Sequence, residues 1–262
     1  MININTKLPT VGTTIFTVMS KLAADHQAIN LSQGFPDYAT DKKLIAEINQ
    51  AMKEGFNQYA PMSGYLPLRE QIAEKTQNFY QAIYDPESEI TITAGGTQAI
   101  FTAINAFITA GDEVIIFEPA YDSYSPTVKL LGGLVKPFVL HAPAYSIDWE
   151  MVKKLFSANT KMIIINSPHN PTGSILRKED IDALIKLTKD TDIIILSDEV
   201  YEHMVFDDRK PQSARQYPAL AERSFIVSSF GKTFHVTGWK LGYCTAPKLL
   251  SAEFRKIHQY VT

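Results

Sequence analysis

Cysteine is nearly missing from this chain of 262 residues: Cys244 stands alone, which excludes an internal disulfide framework and suits a reducing compartment. It lies within the apolar run Leu241-Gly242-Tyr243-Cys244-Thr245-Ala246, where a small packed side chain is expected rather than a nucleophile. Long hydrophobic stretches are missing too. The longest, such as Met162 to Ile165 and Ile193 to Leu196, have strand length, whereas crossing a bilayer takes about 20 apolar residues. No membrane role is expected. Neither sign of charge dominates, since 25 Lys and Arg face 28 Asp and Glu for a formal net charge of -3, so there is no basic field of the kind that nucleic-acid binding needs. The start, Met1 to Pro9, lacks a basic region followed by a long apolar run and does not read as a secretory signal, which makes a cytoplasmic location the expectation. Internal repeats and low-complexity linkers are also absent.

What is present is an ordinary globular composition, 45% hydrophobic and 20% charged, long enough for one large domain or two of usual size. From Glu89 onward, short runs rich in β-branched residues alternate with longer helical patterns. The runs are Ile90 to Thr93, Glu113 to Phe117, Lys136 to Leu140, Met162 to Asn166, Ile193 to Ser197, Phe225 to Ser228 and Leu241 to Ala246. Most are apolar throughout rather than alternating, as strands covered on both faces should be. The pattern predicts an α/β fold with a mostly parallel central sheet and helices on both faces. Helices are expected over 98–108, 124–131, 149–156 and 178–188, the last opening near the acidic pair Glu179-Asp180. Residues 1–40, turn-rich with Pro9 and Pro36, read as an N-terminal arm with part of a small domain, and 41–262 as the large domain.

Four segments carry possible chemistry, and each follows a strand-like run: Thr93-Ala94-Gly95-Gly96-Thr97, Asn166 to Gly173 (Asn-Ser-Pro-His-Asn-Pro-Thr-Gly), Ser197-Asp198-Glu199-Val200-Tyr201, and Ser228-Ser229-Phe230-Gly231-Lys232-Thr233. In open α/β sheets ligands collect outside the carboxyl ends of the strands. Gly95-Gly96-Thr97 leads into a predicted helix, whose free N–H groups can bind a phosphate, although the same tripeptide can be a plain turn. Asn-Pro-Thr-Gly consists entirely of turn formers. Asp198 ends a buried run, where a carboxylate is costly unless paired, so it needs a cation, or it caps the residues that follow. Lys232 presents an amine on a short turn, the group that forms a Schiff base with an aldehyde, though most lysines are solvated surface charges.

Taken together, the four segments resemble the class I/II aminotransferases of pyridoxal phosphate fold type I over essentially the whole chain. The wording Ile29-Asn30-Leu31-Ser32-Gln33-Gly34-Phe35-Pro36-Asp37, Asn57 to Pro61, Tyr121-Asp122-Ser123-Tyr124 and Gly231-Lys232-Thr233-Phe234-His235 is similar to the methionine and kynurenine aminotransferase branch. The resemblance implies pyridoxal 5'-phosphate as cofactor, anchored by Lys232, with Asp198 at the ring nitrogen and Asn170 and Tyr201 at the ring hydroxyl. It implies Tyr121 over the ring face, and Gly96, Thr97, Ser229 and Lys240 around the phosphate. Lys240 stands where relatives commonly have arginine, and a lysine gives the charge without the bidentate fork. Tyr59 is implied to reach the phosphate of a neighbouring subunit, making the active form a homodimer, and Gly34 and Asn170 to lie near the substrate.

The implied reaction transfers an amino group from an L-amino acid, methionine-like or aromatic, to a 2-oxo acid. It follows ping-pong kinetics through a Lys232 Schiff base, with Lys232 also moving the proton. Family members carry a C-terminal small domain whose arginine clamps the substrate carboxylate. These residues stop soon after the strand that follows Lys240, so the chain is expected to be C-terminally truncated and the clamp to lie outside it; Arg255 reads as a helix-surface charge. Two alternatives stay open: a carbon–sulfur lyase using the same lysine, and a cofactor-binding fragment without activity.

Overall fold

The computed structural model describes residues 2, 6–34 and 38–262; Phe35-Pro36-Asp37 of the arm and Met1 and Asn3 to Asn5 of the start lie outside the described residues. Seven strands form one sheet in the order β1-β7-β6-β5-β4-β2-β3. They are β1 (Ile90–Thr93), β2 (Glu113–Glu118), β3 (Leu134–Val139), β4 (Thr160–Asn166), β5 (Ile194–Asp198), β6 (Ser224–Ser229) and β7 (Gly242–Thr245). Strands β2 to β6 run parallel to their neighbours, and β7 lies antiparallel between β6 and β1. The carboxyl ends of β1 to β6 therefore share one edge of the sheet, the edge on which all four motif segments fall.

Alternation along the buried strands builds two cores. Val114, Ile116, Ile164, Leu196 and Val227 face helices α4 (Gly96–Phe107), α5 (Tyr124–Leu130) and α10 (Lys248–His258). Ile115, Phe117, Ile163, Ile165, Ile195 and Ile226 face the opposite way, toward α6 (Trp149–Lys153), α7 (Lys178–Thr188) and α8 (Pro218–Ala221). Each such residue contributes roughly 1.5–3 kcal/mol when removed from water, so a run apolar on both faces is held from both sides. Helix α3 (Leu66–Tyr80) packs Ile72 with Tyr84, Ile90 and Tyr243 in a third, smaller cluster. Pro137 sits in the edge strand β3, where a missing N–H costs no ladder bond. Helix α7 begins as its acidic pair foretold: Asp180 accepts from Arg177 N–H at 2.8 Å and from Trp149 Nε1 at 3.0 Å.

Several features depart from the sequence reading, and two stand out. The arm contains a helix, α1 (Ile15–Asp25), opened by the Thr14 hydroxyl accepting from Thr17 N–H. Its apolar residues Ile15, Val18 and Leu22 recur at helical spacing yet stay exposed, and none of its residues is buried. The following helix, α2 (Lys42–Lys53), likewise buries none of its residues. Arg255, expected at a helix surface, is half-buried: it donates to Thr91 Oγ1 at 2.9 Å and to the carbonyls of Glu87 and Ile90 at 2.8 and 2.7 Å, tying α10 to β1. A guanidinium with its donors in a fixed fork can satisfy several carbonyls that a strand end leaves open. No helix among the described residues is long and apolar enough to cross a membrane.

Candidate active site

The site is assembled by strand register. Asn166, Asp198 and Val227 stand side by side on β4, β5 and β6, so the turns leaving these strands must meet. Asn166 locks two of them: its Nδ2 donates to the Asp198 carbonyl at 2.8 Å, and its Oδ1 accepts from Asn170 N–H at 2.7 Å. This places Asn170 over the end of β5. On the next turn, Glu199 N–H donates to the Val227 carbonyl, tying the Asp198 segment to β6.

Asp198 is 2% exposed, and no ion pair among the described residues includes it. Its Oδ2 accepts from Tyr124 OH at 2.5 Å and its Oδ1 from Val200 N–H at 3.2 Å. The cap-like bond to Val200 thus exists, while the cation that the sequence reading called for does not come from this chain's own ion pairs. Burial pushes the Asp198 carboxyl up to about 6, against the pull of its two hydrogen bonds.

Lys232 lies on the single-turn helix α9 (Phe230–Thr233) directly after β6. Gly231 allows the turn to close, since a Cβ there would stand 3.0 Å from Thr237 Cα. Lys232 Nζ sits 5.5 Å from the centre of the Tyr201 ring. Burial moves its amine below the usual lysine value, with Asp198 opposing, which favours the neutral nucleophilic form. The Tyr201 hydroxyl is raised, by burial first and then by Asp198.

At the end of β1, Gly95 takes φ +82° and opens α4 with bare N–H groups. A Cβ at Gly95 would stand 3.5 Å from Lys240 Nζ, so an ammonium already lies beside this helix N-terminus. A Cβ at Gly96 would come within 2.9 Å of Val200 Cγ1 and 4.0 Å of Ser229 Cβ, so the missing side chain is what brings the helix start against the Asp198 and Lys232 segments. Thr97 Oγ1 lies 3.1 Å from Tyr121 OH, and the Tyr121 ring meets Tyr124 edge-on at 5.7 Å. Backbone N–H groups, a hydroxyl and a cation around one helix start form a cradle suited to a phosphate.

Lys232, Asp198, Tyr201, Tyr121, Asn170, Gly96, Thr97, Ser229 and Lys240 are therefore on one sheet edge. Tyr59 and Gly34 are not joined to them: Tyr59 is fully exposed, and nothing lies within 4 Å of where a Gly34 Cβ would stand. The sequence reading assigned no role to Tyr124 or Asn166, although the aspartate at a buried strand end signalled that polar partners were needed. A separate cleft of about 620 Å³ borders Asn166 and His169 from the other side, lined by Tyr145, Arg177, Lys178 and Arg209, and neither Lys232 nor Asp198 opens into it.

The sequence model of the class I and II aminotransferases matches residues 26–261. The chain belongs to this family. It is 50% identical over 256 residues to the methionine aminotransferase of Escherichia coli, covering 98% of this chain and 66% of that protein. Human kynurenine–oxoglutarate transaminase 1 is 34% identical over 254 residues, covering 91% and 60%. Among solved structures, an Escherichia coli methionine aminotransferase superimposes with a TM-score of 0.96 at 48% identity, over all of this chain and 68% of the other. The N-succinyldiaminopimelate aminotransferase of Mycobacterium tuberculosis does so at 0.95 and 36% identity, over 99% and 68%. The chain thus spans about two thirds of the length of the family members it matches, and the central sheet with its helices is the aminotransferase fold.

Proposed function

We propose that this chain supplies the cofactor-binding part of a pyridoxal 5'-phosphate-dependent aminotransferase that moves the amino group of an L-amino acid to a 2-oxo acid. The observation that carries the reading is the juxtaposition of a part-buried Lys232 amine, on the turn leaving β6, with a buried Asp198 carboxylate at the end of the adjacent β5 that is in no ion pair among the described residues. When bound, the cofactor supplies an aldehyde for the lysine and an electron-withdrawing ring that stabilises negative charge on the substrate α-carbon.

The chain's residues then take separate tasks. Lys232 binds the cofactor and, once displaced, carries a proton at Nζ to and from the substrate α-carbon. Its lowered affinity for that proton eases the exchange. Asp198 supplies the negative charge that keeps a ring nitrogen protonated, and a carboxylate already raised to about 6 gains most from such a partner. Tyr201 and Asn170 orient the ring hydroxyl, Tyr121 covers one ring face, and the α4 start with Thr97, Ser229 and Lys240 holds the phosphate. A homodimer with Tyr59 of one subunit serving the other agrees with the full exposure of that side chain and with the uncovered apolar residues of α1 and α2. The likeness to the Escherichia coli methionine aminotransferase and to human kynurenine–oxoglutarate transaminase 1 favours a methionine-like or aromatic substrate.

The test is the visible spectrum of the protein with added pyridoxal 5'-phosphate, beside Lys232→Ala, followed by methionine and a 2-oxo acid. A band that needs Lys232 and responds to the amino acid is expected. A Lys232-independent spectrum, or pyruvate released from a cysteine conjugate without any oxo acid, would overturn the reading.

A further inference from the structure

We propose that Tyr124 is a positioning residue for Asp198: its hydroxyl holds Oδ2 and keeps the carboxylate ionised, leaving the remaining lone pairs to the ring nitrogen of the cofactor. The proposal rests on the cofactor reading above. Tyr124 is 3% exposed and fixed at the first turn of α5, where its N–H bonds the Tyr121 carbonyl and its neighbour Thr127 bonds the Ser123 carbonyl. Its hydroxyl reaches 74 residues along the chain to a single acceptor at 2.5 Å.

The charge balance at Asp198 makes this contact matter. The groups facing it are Tyr124 and Tyr121 beside α5, Glu199 and Tyr201 on its own turn, and Lys232 on α9. Burial and Glu199 favour the protonated acid; Tyr124, the Val200 N–H and Lys232 favour the anion. Among the side chains, Tyr124 alone donates a hydrogen bond to the carboxylate within the described residues. It also orients the group, because Oδ2 is held from α5 while Oδ1 is held by Val200 N–H. One element therefore links two parts of the site: three residues after the tyrosine proposed to cover the ring face comes the tyrosine that sets the acid.

The experiment follows carboxyl and phenol carbons by NMR in the chain without cofactor, labelled in aspartate and tyrosine, with Asp198→Asn to assign the signals. The Asp198 midpoint should rise by about one to two pH units in Tyr124→Phe, the loss of a hydrogen bond to a charged acceptor. In the wild type the Tyr124 phenol carbon should shift with the same midpoint as Asp198 and lose that step in Asp198→Asn, a measurement that stands even where Tyr124→Phe does not fold. An unchanged Asp198 midpoint in folded Tyr124→Phe, or no coupled step at Tyr124, overturns the proposal. With pyridoxal 5'-phosphate added, Tyr124→Phe should hold the cofactor about ten-fold more weakly. A wild type that forms no Lys232-dependent band would instead sink the cofactor reading, while the titration still decides the role of Tyr124.

Discussion

Replacing Asp198 by asparagine should make the cofactor-free protein more stable at neutral pH. The ordinary aspartate value of 3.8 is raised to about 6 by burial, and at 1.36 kcal/mol per unit the ionised side chain costs the folded state about 3 kcal/mol above that pH. The sign follows from proton binding. Between 3.8 and about 6 the folded protein holds a proton that the unfolded chain has released, so stability falls as pH rises through this window. Asparagine keeps the shape and one acceptor oxygen, and it loses one of the two bonds from Tyr124 OH and Val200 N–H, a cost of about 0.5–1.5 kcal/mol. The balance is a gain of about 1.5–2.5 kcal/mol at pH 7.5, changing to a loss of up to about 1 kcal/mol near pH 4.

Urea unfolding followed by circular dichroism at several pH values between 4 and 8, on both proteins without cofactor, measures this directly. Groups shared by the two proteins cancel in the difference, so its pH slope belongs to Asp198. The reasoning is refuted by a difference that does not change with pH, or by a variant that loses ground against the wild type as pH rises. Added pyridoxal 5'-phosphate should reverse the order, because only the wild type offers the ring nitrogen an anion.

Gly242→Ala puts a Cβ 2.8 Å from Gly95 C, Gly96 N and Ser228 O, all backbone atoms that cannot turn away; a loss of about 1–3 kcal/mol in unfolding free energy is expected, against no more than about 0.5 for Gly12→Ala, which meets nothing within 4 Å. Arg255→Met removes three hydrogen bonds between α10 and the start of β1, and should cost about 1–3 kcal/mol with faster hydrogen exchange confined first to α10.

The central sheet was legible because burial on both faces writes itself into the sequence as continuous apolar runs, and all seven expected runs are strands within two residues of the expected ends. Some of the candidate residues at the sheet edge were legible for a related reason: a Gly-Gly pair, an Asn-Pro turn, an acid and a lysine each lie at or just after the end of such a run, whereas Tyr121 and Lys240 were singled out by the family resemblance. What the local pattern does not carry is pairing at long separation. The bond from Tyr124 to Asp198 spans 74 residues and that from Arg255 to Thr91 spans 164, so neither leaves a periodic trace. Arg255 looked like a surface charge because a helical arginine next to Lys256 reads as polar face, and only the open carbonyls of Glu87 and Ile90 explain its burial. The α1 helix was missed for the opposite reason. Its Thr14 cap and Ile15, Val18, Leu22 spacing were visible, but the surrounding turn formers outweighed eleven residues of weak pattern.

The turn after β5 carries three buried acids, and their treatment differs. Glu199 receives Arg215 Nη1 at 2.6 Å, and Glu202 receives Lys75 Nζ at 2.7 Å and Tyr80 OH at 2.5 Å. Although burial alone would raise it, Glu202 is pulled down to about 2 by Arg215 and Lys75. Its contribution to stability is thus present above its ordinary value of 4.5 and lost as pH falls toward 2. Breaking such a buried pair from one side is costly, on the order of 3–5 kcal/mol, so this network clamps the turn from α3, β7 and the 214–216 segment. Asp198, next to Glu199 in the chain, has no ion-pair partner among the described residues, although Arg215 is near enough to Glu199 and Glu202 to be shared by them. A loop tied down by paired charges at 199 and 202 can carry an unpaired one at 198. The imbalance is relieved by protonation below about pH 6 or, at neutral pH, by the arrival of a cationic ligand group, which converts the stability that Asp198 withholds from the fold into affinity for that group.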